Sequence, residues 1–414
     1  MPIATHSLQP GERPALRQPD ALLAHMRHTL AFYANARDPS GGCFHFFKDD
    51  GTVYDRRTRH LVSSTRFVFN EALARRWFGA PLDGVTHALD FVRRVHARPD
   101  GGHAWLLDWH DGRAEVLDAT HHCYGQAFVL LAHAHAADVG VPGARDGMAQ
   151  TWSLMEDRFW EPAHGLYADE ADPDWRLSPY RGQNANMHGC EAMLAAHAVS
   201  GEARYLERAL TLARNITQRQ AALAGGLVWE HYGPDWQPDW DYNRHDKTNI
   251  FRPWGFQTGH LTEWTKLLLQ LERRLEAAEG GAPAWLLPTA RHFFDTAMAR
   301  GWDQTHGGLV YGFGPDGAVC DGDKYFWVQA ESLAAAAWLA VRTGDPGYWA
   351  WYDRLWDYAW THFVDHAHGA WYRILGPDNR KLTDEKSPAG KTDYHTMGAC
   401  QDVLAALGVV PPGR

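Results

Sequence analysis

One or two glycines followed by an aromatic segment recur six times along the 414 residues, and this recurrence constrains the fold more than any other feature. The copies are Gly41-Gly42-Cys43-Phe44, Gly101-Gly102-His103-Ala104-Trp105, His164-Gly165-Leu166-Tyr167, Gly225-Gly226-Leu227-Val228-Trp229, His306-Gly307-Gly308-Leu309-Val310-Tyr311 and His368-Gly369-Ala370-Trp371-Tyr372. Their first glycines lie roughly 60 residues apart, with one interval of roughly 80. Between copies the apolar residues return at helical spacing, so each repeat supplies a pair of helices and a short β-like arm, read as a hairpin arm or extended loop.

The periodicity predicts twelve helices, at about 20–37, 64–79, 82–97, 119–139, 143–159, 184–200, 203–219, 255–277, 284–300, 324–342, 346–362 and 392–408. Their ends carry appropriate turn chemistry: Asp20 before the first, Pro81 and Pro142 near the starts of others, Gly201, Gly280 and Gly344 at C-termini. Residues 1–19, with Pro2, Pro10, Pro14 and Pro19, read as an extended segment.

Six helical hairpins must each bury an apolar stripe, and an inner ring of helices surrounded by an outer ring does so without leaving an open end. The expected fold is therefore an all-α (α/α)6 barrel, with residues 1–414 forming one catalytic domain. Composition along the chain alternates accordingly. Leu333-Ala334-Ala335-Ala336-Ala337-Trp338-Leu339 and Ala192-Met193-Leu194-Ala195-Ala196-His197-Ala198 are apolar nearly all round, as inner helices are, whereas 203–219 exposes Arg204, Glu207 and Arg208. The long fourth interval contains an aromatic and acidic loop, 235–242, placed to cover the barrel mouth or to pack on its surface.

Several partners are excluded by composition. A net charge of -10 with no basic run argues against nucleic acid and anionic membranes, and no apolar run approaches the length of a membrane span. The 20 tryptophans offer flat surfaces of the kind sugars stack on. Cys43, Cys123, Cys190, Cys320 and Cys400 are odd in number and widely spaced, which fits free thiols in a reducing compartment, and the N-terminus lacks a signal-peptide core. The expectation is a cytoplasmic protein, monomeric or homodimeric, with a small neutral substrate.

Near the start of the helix that follows each glycine turn stands a polar residue: Arg66, His122, Asn184 with His188, His260 with Glu263, Glu331, and His395. If these helices form the inner ring and run the same way, the side chains converge on one end of the barrel. In Gly259-His260-Leu261-Thr262-Glu263-Trp264, His260 and Glu263 are three residues apart on one face. Each alone is satisfied by a packing role; together they suit proton transfer. No H-E-x-x-H occurs, and neither His121-His122 nor His133-Ala134-His135 has helical metal-ligand spacing. No metal and no cofactor are expected.

The segments Ser64-Thr65-Arg66-Phe67, Asn184-Ala185-Asn186-Met187-His188, Gly259 to Trp264, Lys324 to Glu331, and Gly390-Lys391-Thr392-Asp393-Tyr394-His395 together resemble the N-acylglucosamine 2-epimerase superfamily, from about residue 20 to 408. Within it the likeness is to the mannose isomerase or aldose-ketose isomerase branch. The resemblance implies an (α/α)6 barrel that needs neither redox cofactor nor obligatory metal. It also implies that His395 handles the C2 proton of an opened aldose, with His260 as its partner and Arg66 stabilising the enediolate. Glu263 and Glu331 then orient the histidines and hold hydroxyls, while Asn184 and His188 contact the ring and assist its opening. Tyr124, Trp327, Trp254 and His122 are the remaining candidates for substrate contact. Lys391-Thr392-Asp393-Tyr394 before His395 departs from the context of disaccharide and N-acetylhexosamine epimerases, which favours a free monosaccharide. Mannose to fructose is the expected reaction, with lyxose to xylulose beside it. The alternatives are a 2-epimerase of the cellobiose or N-acylglucosamine type, a glycoside hydrolase using Glu263 and Glu331, or a carbohydrate-binding toroid.

Overall fold

The computed structural model describes residues 13–246, 249 and 251–413. Six of its helices form an inner ring: α2 (Leu61–Phe78), α4 (Cys123–Asp138), α6 (Gln183–Ser200), α9 (Thr258–Glu279), α11 (Phe326–Thr343) and α13 (Tyr394–Ala406). Each packs against the next, and α13 returns to α2, so the ring closes. Outside them lie α1 (Pro19–Phe32), α3 (Leu82–Phe91), α5 (Ala144–Arg158), α7 (Ala203–Arg214), α10 (Leu286–Gly301) and α12 (Pro346–His362). One further turn, α8 (Ala221–Leu223), follows α7 through a π-helical stretch, Asn215–Gln220. This is the (α/α)6 barrel that the repeats predict.

Chemistry sorts the two rings. In α11 every residue from Phe326 to Ala340 is buried, because this helix has neighbours on all sides. On α7 only Tyr205, Leu206, Ala209, Leu212 and Ala213 are buried, one stripe facing α6 and α9. Arg204 and Glu207 are exposed as expected, but Arg208 is not: its guanidinium lies 3.3 Å from the Trp160 ring and pairs with Glu156. The outer ring closes through α1, where the Tyr352 hydroxyl of α12 donates to the Leu16 carbonyl at 2.6 Å and the Trp371 indole donates to His25 Nε2 at 2.8 Å.

Predicted helix boundaries hold to within a few residues, α3 continuing as a π-helical stretch, Val92–His96, to near its predicted end, except at the end of the first. It stops at Phe32 instead of residue 37, because the chain leaves it to form a bridge between Arg37 and Cys43 around the first glycine turn. These turns reverse the chain beneath neighbouring aromatic rings. At Gly308, φ is +79° and a Cβ would lie 2.3 Å from the Tyr358 ring, so only glycine fits.

The arms do more than form hairpins. The strand before each inner helix pairs antiparallel with the arm of the next repeat: Thr58–His60 with Leu106–His110, His121–His122 with Glu170–Ala171, Arg181–Gly182 with His231–Tyr232, Phe256–Gln257 with Gly312–Phe313, and Lys324–Tyr325 with Ile374–Leu375. Glu385–Ser387 then pairs with Phe46–Lys48, joining the last repeat to the first. A second closed ring of small sheets thus encircles the end of the barrel at which all six inner helices begin. Their N-terminal dipoles point into it.

Candidate active site

Among the described residues, three of the imidazoles at that end, His395, His260 and His188, have Nδ1 within hydrogen-bonding distance of a carboxylate and line one chamber. His395, in the first turn of α13, faces Glu331 of α11 at 2.6 Å. On α9, His260 faces both oxygens of Glu230 at 2.9 Å. His188 on α6 faces Glu191 one turn further along the same helix at 2.8 Å. A carboxylate on Nδ1 fixes the tautomer and leaves the Nε2 lone pair free. For His395 that nitrogen lies 3.3 Å from Nη2 of Arg66.

Arg66 is 2% exposed, stacks between Phe128 and Tyr394 at 4.6 and 4.7 Å, and donates to the Gly390 carbonyl and to the Tyr124 hydroxyl. Aromatic faces replace the water that a buried guanidinium gives up. The Trp327 ring lies 5.2 Å from His260 and 5.6 Å from His395, so one indole spans the two imidazoles. It can approach because Gly259 has no side chain; a Cβ there would meet the ring at 2.3 Å.

Around these groups is a chamber of 30 Å³ whose walls include Tyr124, Asn184, His188, Glu263 and Lys391, with Phe251 and Pro253 over it. A neighbouring vestibule of 260 Å³ shares Tyr124, Asn184 and Phe251 with it and opens past His122, Asp169 and Arg252.

Burial and charge set the protonation states. Burial lowers His395 well below the ordinary imidazole range, and the charges of Arg66 and Lys391 lower it further, so the ring is neutral. Burial also holds His188 down, to about 4. Glu263 is raised well above the carboxylate range by burial and by Glu331, and neither of its oxygens has a hydrogen-bond partner; it is a neutral acid facing the chamber. Burial works against Glu191, but hydrogen bonds from His188 and Tyr394 and the charge of Lys266 bring it to about 2. Burial raises Glu331 to about 7 against the pull of Lys266, whose Nζ donates to its second oxygen at 2.6 Å.

Of the residues read from sequence, the structure brings Arg66, Tyr124, Asn184, His188, His260, Glu263, Trp327 and His395 around one chamber. Others it places elsewhere. Glu331, expected to orient the histidines and hold hydroxyls, stands behind His395 as an orienting group but lies off the chamber wall, its second oxygen taken by Lys266. Glu263, expected to orient the histidines and hold hydroxyls, lies on the chamber wall beside His188 at 3.8 Å, while Glu230 occupies the back of His260. Trp254 is absent from the chamber wall; its indole donates to the Trp240 carbonyl and its ring packs on Trp229. His122 faces the vestibule, 3.4 Å from Glu170. In the 235–242 loop, Trp236 is buried and donates to Glu161, so that stretch packs on the surface, and Phe251 and Pro253 cover the chamber.

Sequence reading missed Glu230, Glu191, Lys266 and Lys391. Glu230 carries one legible signal: it is an acid directly after the aromatic segment Leu227-Val228-Trp229, on an arm otherwise built for packing. Three groups bring metal-ligand atoms within 4.8 Å: His122 with Asp169 and Glu170, His188 with Glu191 and Glu263, and Glu263 with Glu331 and His395. Most of these carboxylates are already engaged, by Arg252, by His188 and Tyr394, or by Lys266. A cation would compete with each.

Residues 42–399 match the family described as N-acylglucosamine 2-epimerase. A D-mannose isomerase of Marinomonas mediterranea is 51% identical over 399 residues, covering 95% of this chain and 99% of its own. One from Thermobifida fusca is 38% identical over 359 residues, 86% of each chain. The crystal structure of a D-mannose isomerase superposes with a TM-score of 0.91 at 51% identity, covering 95% of this chain and 100% of the other.

Proposed function

Because this chain belongs to the N-acylglucosamine 2-epimerase family, we propose that it is an aldose-ketose isomerase interconverting D-mannose and D-fructose, with D-lyxose and D-xylulose as a second pair. The observation that carries this reading is the neutral His395, its Nδ1 tied to Glu331 and its Nε2 beside Arg66. An oxygen held by Arg66 lies next to the nitrogen that removes the neighbouring carbon's proton. All six repeats serve this one chamber, so the whole chain is read as a single catalytic domain.

The ring form opens first, with His188 and Asn184 placed to handle the anomeric hydroxyl. His395 Nε2 then takes the C2 proton; the C–H electrons form a C1–C2 double bond, and the carbonyl electrons move onto O1. Arg66 stabilises that oxyanion, in a pocket where low dielectric strengthens the interaction. The O2 proton passes to O1, and His395 returns its proton to C1, giving the ketose. His260 stands across Trp327 as the group that could instead protonate the other face of C2, the epimerase outcome. Base, acid and cation are all side chains, so no metal is required, and chelator-treated protein keeps its turnover. The chamber has room for about one or two waters, so its wall rearranges to admit the sugar. Four of the five cysteines are buried and all are free thiols, and among the described residues no helix is long and apolar enough to cross a membrane, which supports a cytoplasmic location.

Incubation with D-mannose in deuterated water, followed by NMR, tests the reading. Fructose carrying deuterium at C1, or the internally transferred C2 hydrogen, is the expected product. Glucose deuterated at C2, with no fructose, would assign the epimerase; no reaction with any free aldose would remove both.

A further inference from the structure

The turn from Pro388 to Asp393, between the last strand and α13, is pinned from α2 at three points. Ser63 Oγ accepts from the Gly390 N–H at 2.8 Å, Arg66 donates to the Gly390 carbonyl, and Asn70 Nδ2 donates to the Thr392 carbonyl at 2.7 Å. Held on this fixed backbone, the Lys391 side chain reaches the chamber, its Nζ 5.8 Å from the Trp327 ring, with no hydrogen-bond or ion-pair partner among the described residues. Lys391 is half-buried, and an ammonium in the chamber wall without an anionic partner calls for a reason.

The groups around it do not neutralise it. Facing it are Arg66 from α2, His188 from α6, His260 and Glu263 from α9, and His395 from α13, with Arg373 further off. Glu263, the nearest acid, is held in its neutral form. Glu331 is already bound by His395 and Lys266. Two cations, Arg66 and Lys391, therefore line one small chamber with no free anion among the described residues, and each opposes the other. Only a negative charge that forms during the reaction relieves this, and a neutral sugar does not.

Resting on the isomerase reading, we infer that Lys391 is a second catalytic cation, which with Arg66 holds the enediolate oxygens in the transition state. Burial and the charge of Arg66 bring the Lys391 ammonium down to about 7, so the free enzyme loses this cation as pH rises through neutrality. The bound oxyanion restores it.

The test uses Lys391→Met and Lys391→Arg in the full chain, with kcat and KM for mannose, the pH profile of kcat/KM, and binding of two probes. These probes are an aldonohydroxamate, which mimics the enediolate, and the neutral polyol mannitol. Loss of an oxyanion donor predicts that Lys391→Met lowers kcat by about 10²-fold to 10³-fold with KM changed little. Hydroxamate affinity falls in parallel and mannitol affinity stays. Wild-type kcat/KM declines above a pKa near 7, and Lys391→Arg keeps measurable turnover while moving that alkaline limb upward. The inference is overturned if Lys391→Met raises KM at unchanged kcat, as for a simple hydroxyl contact, or weakens both probes equally, as for a structural role. Absence of aldose turnover by the wild type would instead remove the underlying reading.

Discussion

The two ends of the barrel are both polar, yet they are built on opposite principles. At the end where the inner helices finish lies the larger cavity, 510 Å³ against the 30 Å³ of the chamber. There the charged groups answer one another: Arg76 pairs with Asp138, Lys266 sits 3.0 Å from Asp402, and Gln270 donates to the same carboxylate at 2.9 Å. At the chamber end, Lys391 has no hydrogen-bond partner for its ammonium among the described residues, and both oxygens of Glu263 and Oδ1 of Asn184 are unmatched. A carboxyl with both oxygens unmatched, as at Glu263, and not cavity size, marks the place where a ligand belongs. Helix dipoles act in the same direction, since six N-termini favour a developing oxyanion at the chamber and six C-termini favour cations at the far end. Glu331 is the link, with one oxygen on His395 and the other on Lys266.

The strongest test of the contrast is acid. Burial holds His25, His60, His96 and His135 down to about 3, and His103, His122, His133 and His188 to about 4. Their folded pKa values lie below the unfolded one, so the unfolded chain binds more protons and stability falls as pH drops below about 6.5, by up to about 1.4 kcal/mol per pH unit for each ring. Urea midpoints measured from pH 7 to 5 check this; a flat profile would mean the rings are not neutral in the fold. Next comes His395→Ala, expected to lower turnover by about 10³-fold or more while leaving the thermal midpoint unchanged or higher, because a desolvated imidazole is removed. Retained turnover would move the site elsewhere.

A smaller effect is expected at the link. Lys266→Met leaves Glu331 and Asp402 buried without their counter-charge and should cost about 3–5 kcal/mol in denaturant unfolding. Adding Glu331→Gln should recover part of that stability but not the activity, since the glutamine does not hold His395 as the carboxylate does. The smallest is Arg274→Gln, which lines only the far cavity. Its kcat/KM should stay within about twofold of wild type, as surface changes remote from the chemistry usually do; a larger fall would show that the two ends are functionally coupled.

Much of this was legible in the chain because repeats repeat their geometry. His395, His260, Arg66 and His188 could be picked out since each stands near the start of the helix after its glycine turn, and helix starts on a ring of like-directed helices mean a common end. Glu230 and Lys391 could not, because they sit on an arm and a turn, where no period predicts the direction of a side chain. Trp254 was misplaced for the same reason: an aromatic near the mouth is as well suited to packing on Trp229 as to stacking on a sugar.

By itself, the order of residues determined the twelve helices of the two rings, which of them are inner, and the set of imidazoles from which a catalyst could be drawn, because hydrophobic period and turn chemistry act locally. Only the tertiary structure decided which carboxylate stands behind which imidazole, that the arms pair across repeats to close a second ring, and that Lys391 and Glu263 are left unmatched. Those outcomes depend on contacts between groups as much as 329 residues apart, and the protonation states that make the site work are properties of that shared burial.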